Sequence, residues 1–161
     1  MKKSIEMRLI HLSRKFYNNG HVRMALKIQA INKYLTTVDI SPMATIGEGF
    51  RLIHGNGIII GSGVTIGDDC IVYQQVTIGE DRTNKSRKPP QSPTIGNNVT
   101  IYAGAKIVGG VTIGDNCEIG ANAVVINDVP DNCTAVGIPA RVIRHDKPIN
   151  DFNKHKAEAN S

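Results

Sequence analysis

The sequence predicts a mainly β fold, in which a coil of six-residue repeats follows a short helical segment. Aliphatic residues recur every six positions in three phased runs, most are followed by Gly or Ala, and the fifth position of each hexad is small. Side chains alternate along a strand, so positions one and five can both point inward while the rest form a corner. Hexapeptide periods are typical of β-helices. The thirteen aliphatic positions are Ile40, Ile46, Leu52, Ile60, Ile66, Val72, Ile78, Ile95, Ile101, Ile107, Ile113, Ile119 and Val125.

Length and composition restrict the classes of protein to which this chain can belong. A chain of 161 residues has room for about one domain and a short appendage. Residues 1–38 hold eight basic residues and one acidic residue, whereas the rest of the chain is slightly acidic, so the net charge of +5 is a local feature and does not indicate nucleic-acid binding. Three cysteines and no long apolar run favour a reducing, cytoplasmic location without a disulfide framework.

The first 38 residues predict two amphipathic helices over residues 4–17 and 21–36, separated by Asn18, Asn19 and Gly20. A basic amphipathic pair can lie on an anionic membrane surface, as a peripheral contact, or can cap the open end of the coil. The capping interpretation is favoured, and both stay open. The predicted apolar faces are Ile5, Leu9, Leu12 and Phe16 on the first helix, and Met24, Ile28, Ile31 and Leu35 on the second.

The repeat domain is predicted over residues 39–144, followed by a polar tail over 145–161. The rhythm breaks twice: Leu52 and Ile60 are eight residues apart, and residues 80–93 are rich in Lys, Arg, Ser and Pro. The second segment cannot continue the inward pattern, so it predicts an external loop.

His54 is the one histidine between residues 39 and 144, and it lies in the first break of the repeat. It follows the inward Leu52 by two residues, which predicts an outward side chain, and Gly55 and Gly57 let a ligand approach the backbone. Asp39, fifteen residues earlier, is almost one revolution away and is also outward. A carboxylate there could orient the imidazole of a histidine base.

Other chemistries find less support in the sequence. Cys70 and Cys117 occupy inward fifth positions and are interpreted as core fillers, and Cys133 is interpreted as a bystander. A metal site built from several histidines needs more imidazoles than the repeat region supplies, so no metal is predicted. The sequence has no P-loop, dinucleotide fingerprint or nucleophile-elbow motif.

Five motifs within about residues 39–144 resemble the hexapeptide-repeat acyltransferases, and among them the serine acetyltransferase-like branch. The resemblance implies a left-handed parallel β-helix, a homotrimer, and acetyl-CoA bound between neighbouring coils. It implies that His54 is the general base and that Asp39 is its partner. It assigns the coenzyme to Gly79, Ala103, Gly104 and Ala121. The motifs are Asp39-Ile40-Ser41-Pro42, Leu52-Ile53-His54-Gly55-Asn56-Gly57, Val76-Thr77-Ile78-Gly79, Tyr102-Ala103-Gly104-Ala105-Lys106-Ile107 and Val136-Gly137-Ile138-Pro139-Ala140-Arg141.

Two missing charges, and a helical N-terminal segment of about 38 residues that is shorter than in this branch, direct the prediction of the acceptor. Ile53 stands where these enzymes usually carry an aspartate, and Gln91-Ser92 stands where they carry Arg-His. Losing both charges would leave the ammonium and carboxylate of serine unpaired, which is costly in a partly desolvated pocket. The prediction is therefore an enzyme that transfers acetyl to a hydroxyl of a sugar or polysaccharide precursor, closest in type to the capsule and exopolysaccharide O-acetyltransferases.

Further residues complete the predicted site. Asn56 and the backbone N–H groups near it could stabilise the oxyanion. Arg144, Lys147 and the basic residues of the external loop could meet the phosphates of CoA. Two alternatives stay open: serine acetylation, if other residues replace the missing charges, and a catalytically silent trimeric scaffold.

Overall fold

The computed structural model describes residues 4–81 and 91–145. Within them, helices α1 (Ile5–Asn18) and α2 (Val22–Thr36) precede fifteen short strands. The strands are β1 (Asp39–Ile40), β2 (Thr45–Ile46), β3 (Arg51–Ile53), β4 (Ile59–Ile60), β5 (Thr65–Ile66), β6 (Ile71–Tyr73), β7 (Thr77–Gly79), β8 (Thr94–Ile95), β9 (Thr100–Ile101), β10 (Lys106–Val108), β11 (Thr112–Ile113), β12 (Glu118–Ile119), β13 (Val124–Val125), β14 (Cys133–Val136) and β15 (Arg141–Arg144).

The strands form three parallel sheets that wrap around a common core. Their orders are β1-β4-β7-β10-β13, β2-β5-β8-β11 and β3-β6-β9-β12-β14, and β15 is added antiparallel to β14. From β4 to β13 each strand therefore stacks on the strand three places before it, and β14 stacks on β12, which makes a solenoid of about four turns. The predicted fold class is confirmed, and the six-residue repeats fit a left-handed β-helix.

The core is the stack of aliphatic side chains that the period of six predicts. Twelve of the thirteen positions are buried, and Leu52 is partly buried against the same cluster. The fifth positions of the hexads are filled by small residues that are also buried, including Cys70, Ala105 and Cys117. Each coil therefore covers its apolar row with the rows above and below it.

The corners of the coil need residues that accept unusual backbone angles or close approach. Asp69, Asn98, Asn116, Asn122 and Asn132 all have φ of about +55°, in the left-handed region that Asn and Asp tolerate best. Close packing between coils requires glycine at another corner, since a Cβ on Gly67 would lie 2.7 Å from the carbonyl oxygen of Gly96.

The two helices pack on the first coil, as the capping interpretation predicts. Ile10 of α1 belongs to the hydrophobic core, and Arg14 donates to the carbonyl of Ile46 (Nη1 to O, 3.0 Å). The predicted apolar faces of the helices are only partly correct, because Ile28 is buried as predicted but Ile5 and four other predicted residues are exposed. Small and polar residues form much of the buried contact between the helices, with Ser13 Oγ donating to the carbonyl of Ala25 (2.8 Å), because they let two backbones approach closely. The large apolar residues that remain exposed on the helices include Leu12, Met24, Ile31 and Leu35.

No helix within the described ranges is both long enough and apolar enough to cross a lipid bilayer.

Candidate active site

His54 lies directly after β3, at the corner where the first coil passes into the second. Its side chain is exposed and its φ is +50°, a left-handed conformation. The corner is held by the next coil, where the N–H of Gln75 donates to the carbonyl of Asn56 (2.9 Å), and by the end of α2, where Thr37 Oγ1 accepts from Gly57 N (3.1 Å). Thr37 and Gln75 also have positive φ, which is unusual for these residue types. Strained backbone is thus concentrated around His54.

The register of the sheet places the predicted coenzyme residues in one column with His54. Ile53 pairs with Tyr73, Val72 with Ile101, and Ile101 with Ile119. Continuing this register, the residues one coil apart at the corner are His54, Gln74, Ala103 and Ala121. Backbone bonds join the column, with Gly104 N donating to Gln74 O and Asn122 N to Ala103 O (2.9 Å each).

Sequence reasoning missed Gln74, which stands between His54 and Ala103 in this column. Its side-chain oxygen Oε1 is buried and has no hydrogen-bond partner among the residues that the structure describes. An unpaired buried acceptor is costly, so its presence at this position points to a donor that arrives with a ligand. No sequence signal distinguishes Gln74 from its neighbour Gln75; only the register does.

The predicted residues Gly79, Gln91 and Ser92 lie at a different corner. Gly79 ends β7, in the first sheet, and a Cβ there would meet open space. Ser92 Oγ donates to the carbonyl of Ser62 (3.0 Å), just after β4 of the same sheet. The side chain of Gln91 lies against Gly110. Within one chain, the structure therefore does not bring these residues to His54.

Asp39 begins β1 and is held by groups of α2. Gln29 Nε2 donates to one carboxylate oxygen (2.8 Å) and Lys33 Nζ to the other (2.7 Å). The hydrogen bond and the charge of Asp39 raise the pKa of Lys33. Asp39 makes no hydrogen bond with His54 in the described part of the chain, so its role as partner of the base stays a prediction.

Of the residues predicted to contact the CoA phosphates, the structure describes Arg144 and does not describe the others. Arg144 lies on β15 with an exposed side chain. Lys147 lies outside the described residues, and so do residues 82–90, which include the basic residues of the predicted external loop.

All three cysteines are buried thiols. Cys70 Sγ donates to the carbonyl of Gly96 (3.1 Å) and Cys117 Sγ to that of Pro130 (3.0 Å). Burial raises the pKa of Cys70 to about 11. Among residues 4–81 and 91–145, no group of three or more His, Cys, Asp or Glu side chains is placed to hold a metal ion.

We expect the three thiols to be unreactive toward an aromatic disulfide reagent at pH 8 in the folded protein, because they are buried and because the raised pKa of Cys70 keeps that thiol protonated. In denaturant all three should react within the mixing time. Rapid reaction of Cys70 in the folded state would contradict its placement in the core.

A cavity of about 820 Å³ opens between α1 and β3. Glu6, Met7 and Arg14 line it from the helix, and Arg51, Leu52 and Ile53 from the coil. It therefore adjoins the residues immediately before His54.

Comparison with known proteins places these features in a family. Residues 92–127 match the model of the bacterial transferase hexapeptide (six repeats). The serine acetyltransferase of Bacillus pumilus is 40% identical over 142 residues, which are 88% of this chain and 64% of that protein. A solved serine acetyltransferase in complex with cysteine has a TM-score of 0.83 at 34% identity, covering 90% of this chain and 55% of that chain. Another solved serine acetyltransferase, in complex with CoA, has a TM-score of 0.78 at 35% identity, and the match covers 86% of this chain and 55% of that chain. The chain thus spans between about half and two thirds of the length of these relatives.

The comparisons correct the predicted acceptor. The prediction of a sugar or polysaccharide acceptor, and of closest likeness to the capsule and exopolysaccharide enzymes, is wrong, since these relatives are serine acetyltransferases. The prediction weighed the charges missing near positions 53 and 91 and the short helical N-terminal segment. The structure shows further charged side chains, among them Glu6 and Arg51, in the cavity beside Ile53.

Proposed function

We propose that this chain, which belongs to the hexapeptide-repeat acyltransferase family, transfers the acetyl group of acetyl-CoA to the hydroxyl of L-serine. The observation that carries the proposal is the single column that joins His54 to Ala103 and Ala121, in a chain similar to serine acetyltransferases. Direct transfer of the acetyl group requires a general base next to the binding site of the acetyl donor. This arrangement holds the two substrates within reach of one another.

In this proposal His54 takes the proton from the serine hydroxyl as the oxygen attacks the thioester carbonyl carbon. The new C–O bond forms, the C–S bond breaks, and the imidazolium returns its proton to the CoA thiolate. Imidazole suits both transfers because its free ring nitrogen accepts a proton and the imidazolium can then donate it. The side-chain amide of Asn56 is the proposed hydrogen-bond donor to the oxyanion, because the backbone N–H groups of Asn56 and Gly57 already donate to His54 O and Thr37 Oγ1.

The column offers a suitable surface for the pantetheine arm of acetyl-CoA. Ala103, Gly104 and Ala121 have small or no side chains, so the arm can lie close to the backbone. The unpaired Oε1 of Gln74 can accept an amide N–H of that arm. Arg144 and Lys147 are proposed to meet the phosphates.

A homotrimer would complete the site. Gly79, Gln91 and Ser92 are at the corner after the first sheet, whereas His54 is at the corner after the third. Solenoids packed side by side around a threefold axis bring one kind of corner against another. We therefore assign Gly79, Gln91 and Ser92 to the site of the neighbouring subunit. Asp39 keeps its proposed role as the partner of His54, and in the described part of the chain Gln29 and Lys33 of α2 hold its carboxylate.

Replacing Gln74 by leucine should stabilise the folded protein but weaken the binding of acetyl-CoA. Removing a buried acceptor that lacks a partner is expected to raise the free energy of unfolding by about 1 kcal/mol. Losing one hydrogen bond to the donor should raise the KM for acetyl-CoA roughly three- to tenfold, while the KM for serine stays the same. Denaturant titration and steady-state kinetics measure the two effects. An unchanged KM for acetyl-CoA would show that Oε1 does not face the pantetheine arm.

The function is tested by incubating the protein with acetyl-CoA and L-serine. O-acetyl-L-serine should appear by mass spectrometry at the rate at which CoA thiol is released, and sedimentation should give the mass of a trimer. Nucleotide-linked sugars serve as control acceptors and should give no product. Thiol release without O-acetylserine, or none at all, would overturn the proposal.

A further inference from the structure

The cavity between α1 and β3 contains charges of both signs that have no partner. Glu6 and Arg51 line it, and in the described ranges neither side chain makes a hydrogen bond or an ion pair. They also do not pair with one another, although they share one cavity. A ligand that carries both a cation and an anion could bridge them.

Glu6 projects toward the segment that carries His54. Its side chain is half-buried, and Oε1 lies 3.7 Å from the position of a Cβ built on Gly55. Gly55 follows His54 directly, so the carboxylate is next to the backbone of the proposed base. A partly buried carboxylate without a partner is a good acceptor for an ammonium group.

Arg51 reaches the same cavity from the coil. Side chains two residues apart on a strand share a face, so Arg51 and Ile53 both point outward from β3. Arg14 also lines the cavity, but its guanidinium donates to the carbonyl of Ile46, and burial lowers its pKa. Asp68, on the same wall, is already bound to the backbone N–H of Glu48 (2.7 Å). Arg51 is therefore the cation left for a ligand carboxylate.

We infer that this cavity binds the zwitterionic part of an amino-acid acceptor, with Glu6 receiving the α-ammonium group and Arg51 the α-carboxylate. The inference rests on the proposed function and names residues that hold its acceptor. An amino acid held in this way lies beside Ile53, and its side-chain hydroxyl is directed at His54. Ile53 supplies apolar contact there and no charge.

Three ligands separate the two contacts: L-serine, ethanolamine, which lacks the carboxylate, and 3-hydroxypropionate, which lacks the ammonium group. Glu6→Gln should weaken binding of L-serine and ethanolamine roughly ten- to a hundredfold, the range for a hydrogen bond to a charged group, and leave 3-hydroxypropionate unchanged. Arg51→Met should weaken L-serine and 3-hydroxypropionate by a similar factor and leave ethanolamine unchanged. Dissociation constants come from ligand-observed NMR titrations, which need no turnover.

Glu48→Gln is the matched control, because Glu48 is an exposed acid on the wall of the same cavity. It should leave all three dissociation constants within about twofold of the wild-type values. Acetylation of L-serine is measured in parallel. If the protein acetylates serine but the two variants behave like Glu48→Gln, the inference is overturned and the proposed function stands. If each variant weakens only the two ligands expected for it, but the protein does not acetylate L-serine, the inference stands and the proposed function fails. If L-serine does not bind, the inference is also overturned.

Discussion

Replacement of His54 by asparagine is expected to lower kcat for serine acetylation by about 10²–10⁴-fold, the usual loss when a general base is removed. Asparagine suits this test better than alanine. His54 has φ of +50°, and Asn is among the residues that tolerate the left-handed region, so the corner keeps its shape. The rate is measured as CoA thiol release with both substrates saturating.

Binding of CoA should survive this substitution, because the pantetheine contacts are proposed for Gln74, Ala103 and Ala121, further along the column. Equal affinities of wild type and variant for CoA, measured by calorimetry, would show that the loss is in chemistry. His21→Asn is the matched control: His21 precedes α2, is exposed, and contacts the ring of Phe16. A His54→Asn enzyme with wild-type kcat would refute the assignment of the base, and a wild-type protein without turnover would favour the scaffold alternative.

The coil could be predicted in detail because its period constrains every residue of the repeat. Each hexad buries positions one and five, so the sequence alone identified Ile60, Ile78 and Ile107 as core and Cys70 and Cys117 as small fillers. Handedness was not available from the period and came from the resemblance. The helix faces could not be predicted either, because α1 and α2 bury Ser13, Ala25 and Asn32 in their contacts and leave larger apolar residues exposed.

The geometry of the candidate site was predictable where it depends on the repeat and not where it depends on contacts between distant segments. His54 was found as an outward residue at a break in the rhythm, and the register then aligned it with Ala103 and Ala121. Gln74 was missed, since only its position in the column and its unpaired Oε1 distinguish it. Glu6 was missed because it lies 47 residues before Ile53 in the sequence and meets the cavity only through the packing of α1. Judging the acceptor from the charges missing at Ile53 and Gln91-Ser92 therefore gave the wrong substrate class.

Two adjacent isoleucines of β4 provide the sharpest test of the coil itself. Ile60 is 1% exposed and stacks between Ile40 and Ile78, its partners in the coils on either side, whereas Ile59 is 46% exposed. Ile60→Ala should lower the free energy of unfolding by about 2–5 kcal/mol, because the lost methyl groups leave a cavity between coils that cannot collapse. Ile59→Ala should lower it by less than about 1 kcal/mol.

Denaturant titration at a fixed protein concentration measures both variants, and repeating it at a tenfold higher concentration separates coil stability from subunit association. The variants share a strand, a residue type and a strand propensity, so the difference between them reports the direction of the side chain alone. If the two losses were equal, or if Ile59→Ala cost more at every concentration, the inward row would be misassigned by one residue. That shift would turn every side chain of the strand to the opposite face of the sheet. The directions assigned to Arg51, Ile53 and His54, on the strand and corner below, would then also be reversed.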